Sequence, residues 1–94
     1  MTLAEFKQSL GADQPPAGLD AHLLALWWGG KGDWHRSHDL VQNGIDANSS
    51  WIHAWLHRVE GDEGNAAYWY ARAGRRKPSI TTEEEWEMLS SHCL

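Results

Sequence analysis

Gly32-Asp33 and Gly61-Asp62 stand 29 residues apart, and around each the sequence reads as helix, tight turn, helix. Sliding the chain by 29 residues also superposes Ala25 on Ala54, Trp28 on His57 and Val41 on Tyr70. Glycine just past one helix and aspartate just before the next are the stop and start signals of a helical hairpin. A hairpin of this length cannot bury its apolar stripe alone, so two copies in one chain must stack. The expected fold is therefore all-α, a compact bundle of five to six helices built on two stacked helix-turn-helix hairpins. No segment shows the period-two alternation of valine, isoleucine and threonine that a sheet requires.

The same signals set the boundaries. Hairpin one is expected over about residues 19–44 and hairpin two over about 50–74, with flanking helices over about 3–10 and 82–92, all in a single helical domain. Thr2 with Glu5 has the spacing of a capping box, and so does Thr82 with Glu85. Leu40 and Val41 are expected to point inward from the second helix of hairpin one. Ser50 is expected to cap the next helix, with Ile52, Trp55, Leu56 and Val59 on its inner stripe. Trp86 and Leu89 would dock the last helix.

The second unit, Ala54-x3-Arg58-x2-Gly61-x4-Ala66-x3-Tyr70-x2-Ala73-x4-Pro78, resembles tetratricopeptide-type repeats and their shorter Sel-type relatives. Ala66 to Ala73 look especially like the second helix of that family. Small residues there let two helices approach closely, and Pro78 prevents continuation. In the first unit Ser37, Val41 and Gly44 replace the expected alanine, aromatic and alanine. The resemblance covers about residues 20–78 and implies a scaffold for protein or peptide binding. Trp51-x-His53-Ala54-x-Leu56-His57-Arg58-x-Glu60-Gly61-Asp62, followed by Asn65-Ala66-x-Tyr68-Trp69-Tyr70, also resembles a family of uncharacterised bacterial proteins, which implies no activity.

Charge and cysteine content narrow the partners. A formal charge of −5 argues against nucleic acid, whose backbone is bound by clustered Lys and Arg. Arg72, Arg75, Arg76 and Lys77 do cluster, at a predicted helix end where cations complement the dipole. Cys93 is the single cysteine, which fits a reducing compartment. The N-terminus lacks the pattern of a signal peptide, and the longest apolar run, Leu23 to Trp28, is too short to span a bilayer. The expectation is a cytoplasmic protein without membrane or nucleic-acid partners.

Two functional readings follow from the side chains. Seven tryptophans are many for 94 residues, and tryptophan serves both thin cores and binding surfaces. Trp28, Trp51, Trp55 and Tyr68 are the candidates for an aromatic surface that binds a peptide, a protein partner or a second copy of the chain. The six histidines give the second reading. His53 and His57 are four apart, so two imidazoles on one helix reach a single ion, and Glu60 lies one turn further along. Stacked hairpins would bring His38 beside them. His38, His53, His57 and Glu60, with Asp39 as an alternative fourth ligand, are the candidate ligands for a divalent transition metal such as zinc, in a metal-binding or small enzymatic domain. The competing reading makes these histidines interior side chains hydrogen-bonded to carbonyls, Tyr68 or Asn65, because they align with Leu24 and Trp28 of the first unit. As buried neutral groups they would also form a pH-sensitive set. No nucleophile elbow, phosphate-binding glycine loop or zinc-protease signature is present, and no catalytic residue is assigned.

Overall fold

The computed structural model describes all 94 residues and contains six α-helices: α1 (Leu3–Ser9), α2 (Ala21–Gly30), α3 (Trp34–Val41), α4 (Ala47–Val59), α5 (Glu63–Arg72) and α6 (Thr82–Cys93). The fold is all-α. Helices α2 with α3, and α4 with α5, form the two hairpins, while α6 packs across α2 and α4 and α1 packs on α6. The bundle measures 33 × 26 × 20 Å. No helix is long and apolar enough to cross a membrane.

The two Gly-Asp turns have the same backbone. Gly32 and Gly61 both adopt φ of 86°, the left-handed conformation that glycine reaches without strain. Asp33 donates its N–H to the Trp28 carbonyl and Asp62 donates to His57, each at 2.9 Å, a Schellman-type closure. Each aspartate then turns its carboxylate onto the N–H three residues ahead, Arg36 or Asn65, and caps the next helix.

Several local expectations shift. Helix α2 starts at Ala21 with Asp20 as its cap, rather than at Leu19. Helix α4 starts at Ala47, because Asp46 accepts the Ser49 N–H at 3.0 Å and the Ser49 hydroxyl at 2.7 Å. Ser50 is therefore an interior helix residue, not a cap. Helix α3 ends at Val41, which is buried while Leu40 is exposed. Adjacent helical residues lie about 100° apart, and the narrow contact of α3 accommodates only one of the two. Val59 is also exposed, since α4 ends there beyond its packing partners.

The last helix is displaced by one residue. Thr81 and Glu84 form the capping box, not Thr82 and Glu85. That single step moves Glu85 from the helix end to the core, where it is fully buried. Its carboxylate accepts hydrogen bonds from Trp51 Nε1 at 3.1 Å, Arg58 Nη1 at 2.9 Å and the Tyr70 hydroxyl at 2.7 and 2.8 Å. Arg58 also donates to the Ile80 carbonyl. One carboxylate thereby ties α4, α5 and α6 together. Removing one partner of a buried ion pair leaves an uncompensated charge, so Glu85→Ala is expected to cost about 3–5 kcal/mol in denaturant unfolding.

Tryptophan fills the centre. Trp27, Trp51, Trp55 and Trp86 are buried, and their indole N–H groups donate to Ser9 Oγ, Glu85, the Thr82 carbonyl and the Leu26 carbonyl. Such partners satisfy the one polar atom that a buried indole carries. Space for the rings comes from glycine. A Cβ at Gly29 would lie 2.7 Å from Trp55 Cζ3, and one at Gly30 would lie 3.0 Å from Trp86 Cζ2. Gly29 thus lies within α2, where close packing against Trp55 leaves no room for a larger side chain. Gly29→Ala is expected to destabilise by about 1–3 kcal/mol through overpacking, measured as a lower denaturation midpoint. Gly11→Ala, whose new methyl meets nothing closer than 3.4 Å, should stay within about 0.5 kcal/mol.

Candidate metal centre

Helix α4 is buried continuously from Ser49 to His57, so both of its histidines enter the interior. Helix α3 packs against it and carries His38. The structure brings His38, His53 and His57 together, with one ring nitrogen from each lying within 4.8 Å of the others. Ring centroids are 4.6 Å apart for His38 and His53, 4.8 Å for His53 and His57, and 5.5 Å for His38 and His57. Two indoles hold the group. Trp34 stacks on His38 at 4.6 Å and Trp69 stacks on His53 at 3.9 Å. Trp34 is itself fixed by donation from Nε1 to the Leu56 carbonyl at 2.7 Å.

His38 Nε2 and His53 Nε2 are 3.0 Å apart. Two neutral imidazoles at this distance share one hydrogen bond, one ring donating and the other accepting. The remaining ring atoms fare worse. His53 is 4 % exposed and His57 9 %, and the Nδ1 of each is buried without a hydrogen-bond partner. The nearest polar atom to His57 Nδ1 is Glu60 Oε2 at 3.5 Å, an ion-pair separation without hydrogen-bond alignment. The expected interior alternatives are not used: Asn65 bonds to Asp62, and the Tyr68 hydroxyl receives Arg72.

Burial and mutual repulsion disfavour protons here. Burial, reinforced by positive charge on His38 and His57, pushes His53 down to about 4. Burial and His57 likewise lower His38, against the opposing pull of Asp39 and Glu60. His53 is thus a neutral imidazole at neutral pH, with one ring nitrogen protonated and the other carrying a lone pair. Asp39 lies on the exposed side of α3, where the Gln42 side chain bonds to it at 3.4 Å, and it is not within the group of three.

The aromatic candidates separate into two kinds. Trp51 and Trp55, expected to line a binding surface, are buried, because the Glu85 carboxylate and the α6 backbone claim their N–H groups. Tyr68 is 54 % exposed and Trp28 is half-buried, with the Arg36 guanidinium 4.1 Å above its ring. Arg72 lies over the Tyr68 and Trp69 rings at 5.9 and 5.4 Å. Sequence spacing does not foretell the Glu85–Arg58–Tyr70 assembly, because Arg58 and Tyr70 lie 27 and 15 residues from Glu85.

Comparison with known proteins adds no identity: no protein-family model matches the chain, and neither a curated protein nor a solved structure resembles it significantly.

The titration of His53 has a measurable sign. An unfolded histidine titrates near 6.5, whereas folded His53 takes up its proton only near pH 4. Between those values the unfolded chain binds more protons, so stability falls as pH drops from about 6.5 toward 4 and is fully present above that window. With a chelator present, the expected loss is on the order of 2–3 kcal/mol, read from denaturation midpoints. A His53→Leu variant should show a shallower decline.

Proposed function

We propose that this protein binds a borderline transition-metal cation, of the zinc, cobalt or copper class, through His38, His53 and His57. The observation that carries this reading is the 3.0 Å approach of His38 Nε2 to His53 Nε2 beside a third imidazole. Tetrahedral zinc with Zn–N bonds of 2.0–2.1 Å sets its ligand nitrogens about 3.3 Å apart, so the His38–His53 pair needs only a small adjustment and the third nitrogen, within 4.8 Å, must draw closer. Nitrogen donors suit zinc, copper, nickel and cobalt, whereas calcium and magnesium demand oxygen. Ring stacking on Trp34 and Trp69 limits the rotation that binding would otherwise have to freeze. At His38 and His53, where burial disfavours the protonated ring, protons compete only weakly with a cation.

The reading is tested by titrating tag-free protein with zinc chloride in a calorimeter and by thermal unfolding. One equivalent is expected to bind, with a thermal shift that a chelator reverses. His38→Ala and His53→Ala should each weaken binding by at least about 100-fold while leaving helical content intact. Less than a tenth of an equivalent bound, together with no thermal shift, excludes the reading.

A second reading is supported by the exposed Tyr68 ring beside Trp69 and Arg72 on α5. It gives the hairpins the role of a helical-repeat scaffold of tetratricopeptide or Sel type, binding a peptide, a protein partner or a second copy of the chain. The shared geometry of the two Gly-Asp turns supports that kinship. Concentration-dependent elution in size-exclusion chromatography, abolished by Tyr68→Ser, is the outcome expected of self-association.

A further inference from the structure

Imidazole ligands carry no negative charge, so the inner set exerts no long-range attraction on a cation. A second group adjoins them. His57, Glu60 and Asp62 each bring one ligand atom within 4.8 Å of the other two, and His57 is common to both groups. Its unpartnered Nδ1 is buried and faces Glu60 Oε2 at 3.5 Å. Glu60 is 39 % exposed, so this second group opens onto the surface more widely than the first, in which His53 is buried and His38 half-buried. It also sits at the C-terminus of α4, where the helix dipole adds negative potential. Asp62 caps α5 through Asn65, which fixes its carboxylate in place and leaves lone pairs free.

We propose that His57 is shared between two cation-binding sets, and that the outer one, His57 with Glu60 and Asp62, is the loading station for a divalent metal ion bound by the inner imidazoles. This inference rests on the metal-binding reading. The outer set supplies two carboxylates and one imidazole, with Glu60 exposed; the inner set supplies three imidazoles, with His53 buried. Mixed oxygen and nitrogen ligation with net negative charge captures divalent cations broadly, whereas three imidazoles select the borderline metals. The carboxylates raise the local cation concentration at the mouth, and His57, common to both sets, carries two ring nitrogens. Transfer then needs only exchange of ligands around one side chain.

The test uses full-length wild type and Glu60→Gln, an isosteric change at a partly exposed position. Manganese(II), which favours carboxylates, serves as the probe of the outer set. Paramagnetic broadening of amide resonances is expected to centre on Glu60, Gly61 and Asp62, and to disappear in Glu60→Gln. Zinc(II) loading is followed by stopped-flow tryptophan fluorescence, because Trp34 and Trp69 stack on the inner rings. Glu60→Gln should slow association about tenfold at low ionic strength, with the equilibrium constant changed less than about threefold. Unchanged association, or broadening centred elsewhere, overturns the loading role. A loss of equilibrium affinity without a change in association rate also overturns it, and makes Glu60 an orienting partner of His57 instead. If zinc binding is indifferent to His53→Ala, the inner site fails, and manganese broadening at Glu60 then marks an independent surface site.

Discussion

Helix α4 has no dry face and wet face: nine consecutive residues, Ser49 to His57, are buried, and every polar group among them must find a partner inside the protein. On one side the requirement is met. Trp51 and the adjoining Arg58 give their hydrogens to Glu85, Trp55 gives its own to the Thr82 carbonyl, and the helix is locked to α6. On the other side it is not met. His53 and His57 face α3 with one shared hydrogen bond to His38 and two orphaned Nδ1 atoms, in a structure whose other buried side-chain orphans are the hydroxyls of Ser50 and Ser90. An unpaired buried polar atom costs on the order of 1–3 kcal/mol. The contrast between the two sides of one helix is what singles out the imidazoles.

The imidazoles could sit there only because the rest of the core is over-provided. Four buried indoles, each with its N–H satisfied, bring large apolar areas to a chain of 94 residues. Glycine at positions 29 and 30 lets α2 come close enough for Trp55 and Trp86 to fill the gap. The carboxylate of Glu85, surrounded by Trp51, Arg58 and Tyr70, then fixes the relative register of three helices. A polar cluster of poor internal satisfaction is tolerable in a bundle secured in this way.

Much of this was legible in the sequence, and the failures have a common cause. The Gly-Asp turns, the hairpins and the convergence of His38 on His53 and His57 follow from spacing, because turn conformation and helical periodicity are local. Choices between adjacent equivalents were not legible. Thr81-Thr82 followed by three glutamates offers two capping boxes of identical spacing, and only the distant Arg58 and Tyr70 select the one that sends Glu85 inward. Asp46 caps α4 in place of the expected Ser50, because the clip formed by His22, Asp46 and Ser49 fixes the chain there. Tryptophan was equally ambiguous. Trp51 and Trp55 are buried by acceptors on α6, which lies some thirty residues away in sequence.

The internal repeat explains why the histidines belong to the second unit alone. Their counterparts in the first unit, Leu24 and Trp28, occupy the outer end of the stack and are half-buried, since α1 packs chiefly against α6. Position 53 and position 57 instead meet the preceding hairpin through α3. A residue that faces another helix inside a stack can act together with side chains from that helix, whereas Leu24 and Trp28 at the end of the stack stay partly open to solvent. Placing His38 on α3, one turn after Trp34, completes both the imidazole group and the indole that stacks on it. The junction between the hairpins, rather than either hairpin, is therefore the unit on which a site could be built.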